Sequence, residues 1–155
     1  MRIISRLSLI LLFFICLLPE AWTEPWDQDA NIKEAVDVLE VVYYQSGISG
    51  IAKHLDKCYA DFDKTGSAQQ LQQCAAIDCG AMYLDVLFSR SVEKKIGKPM
   101  RYPYFAQDAF LRRVDPRFMA LGLSDEERKT FIDKTWKAAL LYVKKKIETG
   151  KIAVE

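Results

Sequence analysis

One histidine, His54, stands among 155 residues, and that scarcity leaves little for acid–base chemistry near neutral pH. A nucleophile–histidine triad would have His54 as its sole base, and no serine lies in a glycine-flanked elbow. Neither sign of charge prevails, with 22 Lys and Arg against 21 Asp and Glu. A nucleic-acid footprint needs a concentrated basic face, so no nucleic-acid partner is expected. Period-two alternation of apolar residues is missing, as are internal repeats, which argues against a half-buried sheet and against repeat architectures. No cofactor motif is present, and neither a cofactor nor a resident metal is expected.

Against these absences stands an apolar fraction of 50%, ample for the core of one domain. Residues 1–23 read as a cleaved signal peptide. Arg2 and Arg6 precede an apolar run from Leu7 to Leu18, Pro19 breaks it, and Ala21 and Thr23 supply small residues before a cut at Glu24. The run is short for a membrane span. Residues 24–155 are then one exported domain, periplasmic or secreted, with no stable membrane insertion after cleavage. Export places its cysteines in an oxidising compartment.

Removing the leader leaves Cys58, Cys74 and Cys79, an odd set that allows one bridge. Cys58 and Cys74 lie equally far from Gly66, in a stretch that reads as two helices meeting at the polar turn 63–67. Equal distance from the turn gives similar height, which a bridge requires. Cys74 and Cys79 are separated by five residues, about 140° around a helix and roughly 7.5 Å along it, so they cannot pair. The expected bridge is Cys58–Cys74 with Cys79 free, and Cys58–Cys79 is the alternative.

Helical periodicity organises the remainder. Apolar positions Ile32, Val36, Leu39, Val42 and Tyr43 predict a helix from Asn31 to about Gln45, ended or kinked by the glycines at 47 and 50. A second helix carries Ile51, Leu55, Cys58, Tyr59 and Phe62. The third, from Leu71 through Phe88, is apolar nearly all round and should form the centre of the core, closing at Lys94, Lys95, Gly97 and Pro99. A short helix through Phe110, Leu111 and Val114 follows Pro103. Asp115-Pro116 reads as the cap and first residue of another short segment. Ser124 and Glu127 form a capping box ahead of a last helix. Its apolar stripe runs Ile132, Trp136, Ala139, Leu140, Val143 and Ile147, and Lys137, Lys144, Lys145, Lys146 and Glu148 make its polar side. The expected fold is all-α, a single small domain of about five helices around the disulfide-linked antiparallel hairpin.

Three groupings invite a chemical reading. Asp61, Asp63, Thr65 and Gly66 match the opening of a calcium loop, but Gln72 stands where a bidentate carboxylate would complete the shell. His54 and Cys58, with Cys74, could be metal ligands at helical spacing, in competition with the bridge. Asp78 and Asp85, about 10.5 Å apart along the third helix, could work as an acid–base pair. The stronger alternative makes them a solvent-facing stripe or the partners of Arg112 or Arg113. No catalytic residue is expected. Tyr102, Tyr104, Phe105 and Phe110 form an aromatic run that serves either as a binding surface or as a cap on the core. These features favour a non-enzymatic exported protein that binds a protein partner, as an inhibitor, immunity or accessory protein does. A small-ligand carrier with a pocket near the aromatic connector is the alternative, and an exported hydrolase is a third.

Overall fold

The computed structural model describes residues 26–154, so the expected leader lies outside the described residues. Four α-helices account for most of them, with no strand among them, and the all-α class holds. Helix α1 spans Gln28–Thr65 and opens on Asp27, whose carboxylate accepts the backbone N–H groups of Asp29 and Ala30. That cap starts the helix three residues before the expected Asn31.

Gly47 adopts φ 62° and ψ −165° inside α1, a conformation that a side chain disfavours. Gly47 therefore kinks α1, as expected, and the helical stretches on either side of it run together as one element; with Pro116 also inside a single helix, four helices stand where about five were expected. Gly66 (φ 64°) closes α1, and Ser67 caps α2, Ala68–Ile96, by accepting the Gln70 N–H.

Helix α2 is the central element. Leu71, Gln72 and every residue from Cys74 to Met82 are buried, and α1, α3 and α4 all pack against it. Such all-round burial needs close helix approach, and Gly80 permits it. A Cβ at Gly80 would meet Leu39 Cδ2 of α1 at 2.5 Å and Val143 Cγ2 of α4 at 3.1 Å.

A 3₁₀ turn at Pro103–Phe105 leads into α3, Gln107–Ala120. The expectation that Pro116 starts a new helix is corrected, since it lies inside α3. Pro costs about 3 kcal/mol in a helix interior. Packing offsets this, because Phe110, Val114 and Phe118 form one buried ridge at four-residue spacing, and Phe118 meets Phe131 edge-on at 5.0 Å.

Helix α4, Asp125–Glu148, starts with the expected capping box. Glu127 N donates to Ser124 Oγ, and Ser124 N donates to Glu127 Oε2. Its buried line is Phe131, Thr135, Ala139 and Val143, which keeps Ala139 and Val143 of the expected stripe and is rotated by one residue at its start, where Phe131 and Thr135 replace Ile132 and Trp136. Ile132, Trp136 and Leu140 consequently lie at the margin, only partly buried. Lys146 also departs from the expected polar side: it turns inward to Asp37 and Glu40 of α1.

Candidate functional site

Cys58 and Cys74 are bridged across the α1–α2 hairpin with a Cα–Cα distance of 5.7 Å, and Cys79 is a buried free thiol. The bridge removes Cys58 and Cys74 as metal thiolates, which ends the reading of His54, Cys58 and Cys74 as a ligand set. Burial pushes the Cys79 thiol well up, with Asp78 beside it adding to the effect, so Cys79 is a poor nucleophile.

The residues of the calcium-like opening are held in other pairings. Asp61 pairs with Lys64, and Asp63 receives the Arg117 guanidinium through two bonds of 2.9 and 2.6 Å. Thr65 Oγ1 donates to Gln70 Oε1 at 2.8 Å. Gln72 points into the core, where its Oε1 accepts from Trp26 Nε1 and Asn31 Nδ2.

Asp78 and Asp85 are fully buried, which corrects the solvent-facing stripe. Arg113 donates to Asp78 through Nε and Nη2, both at 2.8 Å, and Tyr59 Oη donates at 3.0 Å. Burial raises the Asp78 pKa, opposed by the Arg113 hydrogen bonds. Arg113 also donates to the Tyr104 carbonyl and lies 4.0 Å from the Tyr104 ring centre. Asp85 instead takes Arg101 Nε and the backbone N–H of Tyr102, a partner that the sequence reading did not consider. Arg112 pairs with Asp108. Each buried carboxylate thus has its own cation, and the two are not arranged around a common substrate position. Their geometry is that of two clamps: one fixes α3 to α2, the other fixes the connector to α2.

The aromatic run divides between core and surface. Phe105 and Phe110 are buried, Tyr104 is half-buried with its hydroxyl donating to Asp56 at 2.7 Å, and Tyr102 stands at the exposed edge. The four rings therefore do not share one surface. Burial and the Asp56 hydrogen bond push the Tyr104 phenol up, so it remains a donor across the physiological range.

A concave feature lies beside this run. A groove of about 600 Å³ opens between α3 and α4 over Met82 of α2. Phe110, Leu111, Ile132 and Trp136 form its apolar lining, and Gln107, Asp115, Arg128, Lys129 and Asp133 supply its polar groups. Asp115 Oδ1 is buried without a hydrogen-bond partner among the described residues, 3.6 Å from Arg128 Nη1. The rotation of α4 creates this site by bringing Ile132 and Trp136 to the groove instead of the core centre. Sequence periodicity identified both as apolar but could not fix the rotation to one residue.

Comparison with known protein families, with characterised proteins and with solved structures finds no match to this chain.

Proposed function

We propose that this chain is an exported, non-enzymatic binding protein whose target is another protein, engaged through the groove between α3 and α4. The groove carries this reading. Trp136, Ile132 and Leu111 offer apolar contact within a polar rim, the composition of a recognition patch. Exposed Gln107, Lys129 and Asp133 on that rim supply polar groups for the partner. The disulfide supports export, because such bridges persist in oxidising compartments, and a periplasmic or secreted location follows from that reading. The non-enzymatic part of the reading is supported at one point: Asp78 and Asp85 each face their own cation and do not converge as an acid–base pair.

A photocrosslinking amino acid at Lys129, on the groove, tests the proposal in the producing cell, with Lys33 on α1 as the control position. The expected result is one discrete protein adduct from position 129, lost on Trp136→Ala and absent from position 33. Adducts of equal yield from both positions would reject the groove as the binding site.

A second reading, a carrier of a small apolar ligand, is favoured by the volume alone, which falls in the range of about 300–1,000 Å³ common to ligand pockets. Native mass spectrometry of the purified protein separates the two. A bound small molecule that leaves on Trp136→Ala selects the carrier.

A further inference from the structure

The end of α2 and the connector after it combine two features that neither core packing nor helix capping explains. Every residue from Glu93 to Pro103 is exposed. Ile96, Met100 and Tyr102 are 62%, 49% and 36% exposed, three of the seven exposed large apolar side chains among the described residues, within seven consecutive positions. Arg90, Lys94, Lys95 and Lys98 lie in or next to the same stretch of chain, and none of the four pairs with a carboxylate among the described residues. Most other arginines do pair, and Arg101 in this same segment is neutralised by Asp85. Glu93 is the segment's one acidic residue.

Lysines in a last helical turn complement the helix dipole, which accounts for Lys94 and Lys95. It does not account for Lys98 beyond the helix, nor for aliphatic side chains held in water. Isolated exposed apolar residues are ordinary, whereas a group of them among like charges marks a contact surface. The connector is also held in place. Asp85 grips the Arg101 side chain and the Tyr102 backbone, and Tyr102 packs edge-on against buried Phe105 at 6.5 Å. The segment is therefore a tip fixed at Arg101 and Tyr102 that carries exposed cationic and exposed apolar side chains together.

We propose that this tip docks on the surface of a bilayer containing anionic phospholipids. Lipid phosphates offer counter-charges to Arg90, Lys94, Lys95 and Lys98, and the adjoining acyl region accepts Ile96 and Met100 at shallow depth. Charge complementarity alone would also suit a nucleic acid, but the segment's two most exposed apolar side chains, Ile96 and Met100, lack the flat faces that stack on bases, and the Tyr102 ring is engaged edge-on with Phe105. The contact is peripheral, since no helix among the described residues is long and apolar enough to cross a membrane. It does not depend on the groove between α3 and α4.

Flotation of the purified protein with vesicles tests the inference, using phosphatidylcholine alone and phosphatidylcholine mixed with phosphatidylglycerol. Binding is expected only to the mixed vesicles and should weaken with added salt. Each lysine near an anionic surface contributes about fivefold in affinity. The triple change Lys94→Gln, Lys95→Gln and Lys98→Gln should therefore weaken binding about a hundredfold. Ile96→Ser with Met100→Ser should abolish the part of the binding that survives high salt. All five positions are exposed, and unchanged thermal melts would establish that the variants fold. Absence of flotation with mixed vesicles, or flotation indifferent to both sets of changes, would overturn the proposal. Equal or tighter binding to duplex DNA or to polyglutamate would overturn it in favour of a general polyanion site.

Discussion

Opening the Cys58–Cys74 bridge is the perturbation whose size follows most directly from the geometry. The bridge closes a loop with a sequence separation of 16, and its Cα–Cα distance of 5.7 Å lies within the ordinary range. Chain entropy for such a loop gives about 3 kcal/mol of stabilisation, acting through the unfolded state. Single domains carry a net stability of about 5–15 kcal/mol, so this is a large share. With an unfolding entropy of about 2.1 cal/mol/K per residue, the melting temperature should fall by roughly 10 °C. Urea unfolding of oxidised and reduced wild-type protein isolates this contribution, because reduction leaves both sulfur atoms in place. The denaturant slope should rise on reduction as the unfolded chain expands. Cys58→Ala with Cys74→Ala should cost about 1 kcal/mol more, since Cys74 is fully buried and its sulfur leaves a void. Cys79→Ala serves as the control for the free thiol. A reduced wild-type protein within about 0.5 kcal/mol of the oxidised one would refute the entropic reasoning.

Three further outcomes test buried and partly buried groups. Asp78→Ala strands the Arg113 charge and the Tyr59 hydroxyl in the interior and should cost about 3–5 kcal/mol by urea unfolding; adding Arg113→Met should recover part of that loss. Gly80→Ala forces Leu39 and Val143 apart and should destabilise by about 1–3 kcal/mol, whereas no loss would mean that the three helices have slack at this crossing. Burial, with Lys57 nearby, holds the His54 pKa below its ordinary value of 6.5. The folded state thus prefers neutral His54. Its contribution is present above pH 6.5 and is lost as pH falls from there through the lower folded-state value. Comparing unfolding midpoints at pH 7.5 and below 6 should show a smaller acid loss in His54→Gln than in wild type.

Much of the architecture was legible because local chemistry specified it. The symmetry of Cys58 and Cys74 about Gly66 needs only helix geometry to predict a bridge, and the apolar surface of residues 71–88 needs only burial to predict a central helix. The misreadings have local causes too. Pro116 signals a helix start by its own chemistry, but the buried ridge of Phe110, Val114 and Phe118 outweighs that signal. The solvent-facing stripe failed because Asp78 and Asp85 are buried; Arg113 was legible as a partner and does pair with Asp78, whereas Arg101, the partner of Asp85, was not.

Composition and periodicity determined by themselves that the described chain is helical, that its hairpin is cross-linked, and which helix lies at the centre. These follow from spacing along one element and from the propensities of single residues. Only the tertiary structure decided the rest. It set the rotation of α4 by about one residue, which turns Trp136 toward a groove, and the pairing of each buried carboxylate with its own arginine. It also fixed the connector that leaves Ile96 and Met100 in water beside Lys98. The reason is physical: a 3.6-residue period fixes which residues share a face to within a fraction of a turn, whereas side-chain contacts between distant segments fix what that face meets.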